Sequence, residues 1–360
     1  MSAAAPGSGV DLGLIEGYYG GPWTWPERRV QIETLKAHGY GFYIYAPKAD
    51  VFLRKRWREE PPEETRAGMA AFAGQCRELG MRFGVGLSPF EIYRDFNTEA
   101  QDALARKLNW LDAVGIDDLG ILFDDMRGDL PDLAETQVRI VHWIAERSRA
   151  TRLIVCPTYY SDDAGLDRFF GNRPAGYLED FGAGLDPAIE VFWTGEEVCS
   201  KEFSPGHLQR VGAALRRKPF LWDNYPVNDG PRMSPHLHLR AFTGRPASIA
   251  PHISAHAVNP ALQPTLSLIP ELSLAESYRL GEAYQYVEAF DRAADEVLGA
   301  ELAKAVRRHL PIFQDDGRDR LSEDTVTKLR ARYAAWDHPG AREIVGWLDG
   351  AYAVTSMEEG

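Results

Sequence analysis

Short apolar runs alternate with longer amphipathic stretches through the first two thirds of the chain. Eight runs have strand character: Leu12 to Tyr19, Gly41 to Ala46, Arg82 to Leu87, Asp118 to Asp124, Arg152 to Pro157, Ile189 to Thr194, Pro219 to Asp223, and a weaker one at Ser254 to Asn259. Between them the spacing predicts helices over Pro26 to His38, Pro62 to Leu79, Thr98 to Ala113, Asp132 to Arg147 and Pro205 to Arg217. Pro62-Glu63-Glu64 is a favourable helix start, because proline is preset for the first turn and carboxylates suit the positive end of the helix dipole.

The strand runs are continuously apolar rather than alternating, as a parallel sheet covered on both faces requires. Eight successive βα units predict an α/β fold, a closed (β/α)8 TIM-type barrel, with an open doubly wound sheet as the alternative. After about Pro270 strand signals cease, and apolar residues recur at helical spacing over Leu274 to Val297, Ala300 to His309, Ser322 to Trp336 and Arg342 to Tyr352. The expected organisation is a flexible terminus over 1–10, a barrel over 11–270 and a small helical appendage over 271–360.

Composition narrows the classes of function. Of 360 residues, 44% are hydrophobic and 26% charged, enough to build a sizeable core and to exclude a disordered or collagen-like chain. The formal charge of −13 repels phosphate backbones and anionic headgroups, so neither nucleic acid nor a membrane surface is an expected partner. Cys76, Cys156 and Cys199 form no C-x-x-C pair and fit neither a disulfide framework nor zinc-finger spacing. The segment MSAAAPGSGVDLG lacks the layout of a secretory leader, and no run approaches the ~18 apolar residues of a membrane span. The expected location is cytoplasmic.

In a barrel the strand C-terminal ends build the active face. Here they read Glu16-Gly17-Tyr18-Tyr19, Pro47-Lys48, Asp124-Asp125, Thr158-Tyr159-Tyr160, Trp193-Thr194-Gly195 and Trp222-Asp223-Asn224. Carboxylates, amides, a lysine and aromatic rings on one rim describe a sugar pocket better than a phosphate cradle. Asp124-Asp125 is the candidate for the chemistry: where a strand breaks into its loop, adjacent aspartates can reach one substrate. The one in the drier environment is expected to keep its proton and act as an acid. Lys48 places a positive charge beside them, while Trp23 and Trp193 read as packing anchors. His236, His238, His252 and His256 bunch in sequence without a carboxylate in metal-binding register, and no nucleotide motif occurs, so no metal or cofactor is expected.

Six segments in succession, Gly13 to Trp23, Tyr43 to Lys48, Leu122 to Asp125, Cys156 to Tyr160, Val191 to Gly195 and Trp222 to Asp229, resemble the catalytic domain of glycoside hydrolase family 84. That family contains protein O-GlcNAcases and bacterial β-N-acetylglucosaminidases. The resemblance implies removal of terminal β-linked N-acetylglucosamine (GlcNAc) with retention, the substrate's own acetamido oxygen serving as nucleophile. By motif position, Asp124 would accept the acetamido N–H and stabilise the oxazoline-like intermediate, and Asp125 would protonate the leaving oxygen and then activate water. Tyr160 and Asn224 would hold the acetamido group over Trp222, and Gly17, Lys48, Asp229 and Asn259 would bind ring hydroxyls.

The chain departs from the family pattern at Tyr159, where an acid is common, and at Phe90, where glycine is common. Both bear on rim shape and leaving-group preference rather than on the chemistry. Two rival readings are a catalytically silent carbohydrate-binding barrel and a metal-dependent barrel hydrolase. The expected partner is a GlcNAc-bearing glycoside or glycoprotein; the sequence leaves the aglycone and the oligomeric state open.

Overall fold

A computed structural model describes residues 9–356. Most of the 1–10 terminus expected to be flexible lies outside the described residues. The strands are β1 (Leu12–Glu16), β2 (Tyr40–Tyr45), β3 (Arg82–Leu87), β4 (Asp118–Leu122), β5 (Arg152–Cys156), β6 (Glu190–Trp193), β7 (Phe220–Asp223) and β8 (Ala255–Val258). They pair in parallel in chain order, and β1 pairs β8, closing the predicted eight-stranded barrel. Helices α1 (Trp25–Ala37), α2 (Glu63–Glu78), α3 (Thr98–Val114) and α4 (Leu133–Ala145) follow the first four strands. Then come α5 (Ala164–Phe170), α6 (Tyr177–Gly184), α7 (Pro205–Leu215), the single turn α8 (Gly230–Met233) and α9 (Pro264–Leu280). The chain ends in α10 (Tyr286–Leu298), α11 (Ala300–Leu310), α12 (Glu323–Ala334) and α13 (Pro339–Leu348).

Period-two alternation sorts the strand side chains between two cores. Phe42, Ile44 and Ala46 point into the barrel with Ile154, Phe192, Phe220 and Trp222, whereas Tyr43 and Tyr45 face the helices. Such filling needs small residues opposite large ones. A Cβ at Gly13 would lie 2.2 Å from the Phe42 ring, so only glycine fits there.

The two barrel ends differ in chemistry. At the N-terminal end, Asp11 pairs with Arg82 (2.6 Å) and Arg152 (2.8 Å), Arg82 reaches Asp118 (3.2 Å), and Arg152 also pairs with Glu190. This network satisfies its own charges and closes the bottom of the barrel. Its guanidinium groups stack over Phe42 and Phe220.

Three features differ from the sequence expectation. Helices α5 and α6, between β5 and β6, lie in a stretch too short and glycine-broken to show a helical period. The run Leu274 to Val297 is two helices, because α9 stops at Gly281 in the left-handed region (φ 55°) before α10 begins. Helix α9 also crosses residue 270, with Pro270 inside it, and packs against α1. The division of the chain into a barrel and an appendage is our proposal, and α9 belongs on the barrel side of it.

Candidate active site

Strands β1, β2, β4, β5, β7 and β8 send their C-terminal residues into one cavity of about 110 Å³. All nine residues singled out in the sequence line it: Gly17, Lys48, Asp124, Asp125, Tyr160, Trp222, Asn224, Asp229 and Asn259. Strand β4 ends at Leu122 rather than at Asp124. Asp124 and Asp125 therefore lie on the breaking strand, and Asp125 takes a left-handed conformation (φ 57°). That strained backbone, tolerable for aspartate, turns both carboxyls toward the same space.

Lys48 ties the pair together. Its ammonium forms a close ion pair with Asp124 Oδ2 and lies 3.1 Å from Asp125 Oδ2, with Lys48 and Asp124 both buried. Burial pushes the Lys48 ammonium down, but the two aspartates outweigh it and hold its pKa well above the usual lysine range. Asp124 Oδ1 is buried and has no hydrogen-bond partner within the protein.

Asp125 is clamped through Oδ2 alone. The Tyr19 hydroxyl donates to that atom (2.5 Å), and Arg54 Nη2 lies 3.3 Å from it while also donating to the Tyr19 oxygen (3.0 Å). Burial raises the carboxyl, but Lys48, Arg54 and Tyr19 outweigh it and hold Asp125 below the usual carboxylate range. This corrects the expectation of a proton retained through dryness: between the two carboxyls the fold inserts a cation.

Across the cavity the amides form a chain. Gly17 N–H donates to Asn259 Oδ1 (3.1 Å), Asn259 Nδ2 to Asn224 Oδ1 (2.9 Å), and Asn224 Nδ2 to the Val198 carbonyl (2.7 Å). Trp222 Nε1 also donates to Asn224 Oδ1 (3.0 Å), and its ring packs edge-on to Phe192. A Cβ at Gly17 would meet that ring at 2.2 Å, so glycine lets Trp222 lie against the turn after β1. Asp229 accepts from the Tyr19 N–H (2.8 Å), and burial pushes its carboxyl up to about 6.

Sequence reasoning missed Arg54 and left Tyr19 without a role. Tyr19 stands in the quoted β1 motif, but its hold on Asp125 is visible only in three dimensions. Arg54 carries no signal that separates it from Arg56, which pairs with Glu59 at the surface. Trp23 and Trp193 are buried as expected, donating to Leu262 O and His207 Nε2. The bunched histidines have separate partners: His256 contacts Asp223 and Tyr278, and His236 and His238 contact backbone carbonyls. Among the described residues no three His, Cys, Asp or Glu side chains group as a metal site, and no helix is long and apolar enough to cross a membrane.

Comparison with known proteins gives consistent results. The chain is 29% identical to the protein O-GlcNAcases of Rattus norvegicus and Mus musculus over 257 residues, which are 69% of this chain and 28% of theirs. It thus spans little more than a quarter of the length of these relatives. An O-GlcNAc hydrolase mutant of Thermobaculum terrenum superposes with a TM-score of 0.77 at 28% identity, covering 94% of this chain and 80% of that one. A family profile described as beta-N-acetylglucosaminidase matches residues 12–311, which takes in every strand and the whole cavity. The chain therefore belongs to the β-N-acetylglucosaminidase family, glycoside hydrolase family 84, to which its barrel-rim motifs pointed.

Proposed function

We propose that the chain is a retaining exo-β-N-acetylglucosaminidase that removes terminal β-linked GlcNAc by substrate-assisted catalysis. The observation that carries the reading is Asp124, buried in the cavity with Oδ2 on Lys48 and Oδ1 without a partner. A carboxylate blunted by an ammonium is a poor nucleophile at C1, whereas accepting the acetamido N–H needs only the remaining oxygen. That hydrogen bond aligns the acetamide carbonyl with C1 and stabilises the positive charge that develops as it attacks.

In the first step the acetamide oxygen forms its bond to C1 while the bond to the leaving oxygen breaks, and Asp125 gives that oxygen a proton. In the second, Asp125 takes a proton from water, the water attacks C1, and the oxazolinium ion, its N–H still held by Asp124, opens to GlcNAc of retained configuration. All three contacts on Asp125 fall on Oδ2, which leaves Oδ1 for the leaving oxygen. The free site favours the ionised form of Asp125. A leaving group seated against Asp125 excludes water and raises that carboxyl toward its acid role, while Lys48 stays on Asp124 Oδ2. Trp222 floors the methyl pocket with Tyr160 and Asn224 at its sides, and Gly17, Asp229 and Asn259 hold ring hydroxyls.

The direct test is hydrolysis of 4-nitrophenyl β-N-acetylglucosaminide followed by proton NMR of the first product. The β-anomer is expected, and the α-anomer would overturn retention.

Asp229 adds a pH signature. As a hydroxyl acceptor it works ionised, and its carboxyl titrates near 6, while in the free site Asp125 is held below the usual carboxylate range. KM should rise as pH falls through about 6, because protonation removes the acceptor. Asp229→Asn should show a high KM without this limb, and a variant retaining it would assign the titration elsewhere.

A further inference from the structure

A second concavity, of about 1050 Å³, opens from the Asp125 side of the sugar pocket and shares Tyr19, Asp125, Tyr160 and Val198 with it. Because it adjoins Asp125, the groove lies where the aglycone of a substrate protonated by that residue would sit. Its open wall is apolar: Phe90 and Phe170 are half-buried, and Phe169 is 82% exposed, the barest of the large hydrophobic side chains among the described residues. Arg127 pairs with Asp129 (2.5 and 2.8 Å), and Arg54 directs Nη2 to Tyr19 and Asp125 while its Nε and Nη1 are buried without a hydrogen-bond partner.

The wall is braced. Phe169 and Phe170 close helix α5, whose first turn is capped by Asp163 accepting from Gly165 N–H (2.7 Å). Past the helix, the buried Tyr159 donates its hydroxyl to Gly171 O (2.6 Å), and Gly128 N–H donates to Phe170 O (2.7 Å). The Tyr159 ring fills the space beside Gly128, where a Cβ would meet it at 2.7 Å, and Arg173 stacks over the ring at 4.8 Å. The two positions at which the sequence departs from its family, Phe90 and Tyr159, thus face or support the same wall.

We propose that this groove selects an apolar aglycone, one with an aromatic or branched aliphatic group within a few bonds of the glycosidic oxygen, over a second sugar. This rests on the hydrolase reading above. A saccharide here would press its hydroxyls against Phe90, Phe169 and Phe170, with few uncommitted polar partners to replace water. An apolar group instead covers rings that are bare in the free protein, and covering much of one phenyl ring corresponds to roughly a tenfold gain in kcat/KM.

The test measures kcat/KM for four substrates: methyl β-N-acetylglucosaminide, chitobiose, and two serine-linked GlcNAc peptides differing only in leucine or glycine beside the serine. The leucine peptide is expected to exceed the glycine peptide about tenfold and to exceed chitobiose. Phe169→Ser should collapse the leucine-to-glycine ratio toward one, and Phe169→Leu should keep most of it; the exposed position puts neither fold at risk. A leucine-to-glycine ratio near one in the wild type, a ratio that survives Phe169→Ser, or chitobiose as the best substrate overturns the proposal. If the methyl glycoside is still cleaved in that event, the hydrolase reading stands; if none of the four is cleaved, both fall.

Discussion

Asp125→Asn is expected to lower kcat/KM on methyl β-N-acetylglucosaminide by about 10²- to 10⁴-fold, the usual contribution of a positioned general acid. A methoxide leaving group cannot depart without a proton, and asparagine supplies none. With a dinitrophenyl leaving group, whose oxygen departs unaided, kcat/KM should stay near the wild-type value, because it reports only the first irreversible step. The second step still needs a base, so kcat and KM on that substrate should fall together, with a burst of dinitrophenol as the intermediate accumulates. Equal losses of kcat/KM on both substrates would contradict the assignment.

Asp124→Asn is expected to lower kcat/KM by about 10²- to 10³-fold on both substrates, in keeping with the loss of a preorganised electrostatic partner. The geometry explains why so conservative a change is costly. Lys48 carries donors only and faces Oδ2, so the amide oxygen of asparagine has to take that place. The amide nitrogen is then aimed where the acetamido N–H arrives, and donor meets donor. Because the acetamide attacks before any product forms, a good leaving group gives no relief. An Asp124→Asn variant that turned over the dinitrophenyl substrate at the wild-type rate would remove this residue from the mechanism.

The contrast between Asp125 and Arg54 shows what a sequence carries. The Asp124-Asp125 pair was legible because it follows a buried parallel strand, and a carboxylate pair at such an end has few structural uses. Lys48, Trp222 and Asn224 were legible in the same way, as polar or aromatic residues at or just past the ends of apolar runs, whereas Asp229 and Asn259 were reached through the family resemblance. Arg54 follows Lys48 by six residues, in a segment of short turns without a period, and only folding brings it to Tyr19 and Asp125. The expectation that dryness would hold a proton on one of the pair missed the cations for a related reason: the sequence shows two adjacent acids, and Lys48, which contacts both, and Arg54, which contacts Asp125, come from the loop after β2. Helix starts were lost where the period is short or begins in a proline-rich stretch. The helical pattern was read only from Leu274, whereas α9 begins at Pro264 in its first turn and accommodates Pro270 inside it.

The central claim, that the substrate's acetamide rather than an enzyme carboxylate attacks C1, is tested most directly by kcat/KM on aryl glycosides whose N-acetyl group carries zero, one, two or three fluorines. Each fluorine withdraws electrons from the carbonyl oxygen, so the rate is predicted to fall stepwise across the series, with no sugar ever covalently bound to the protein. A flat series, together with a glycosyl adduct trapped on Asp124 or any other aspartate, would contradict it.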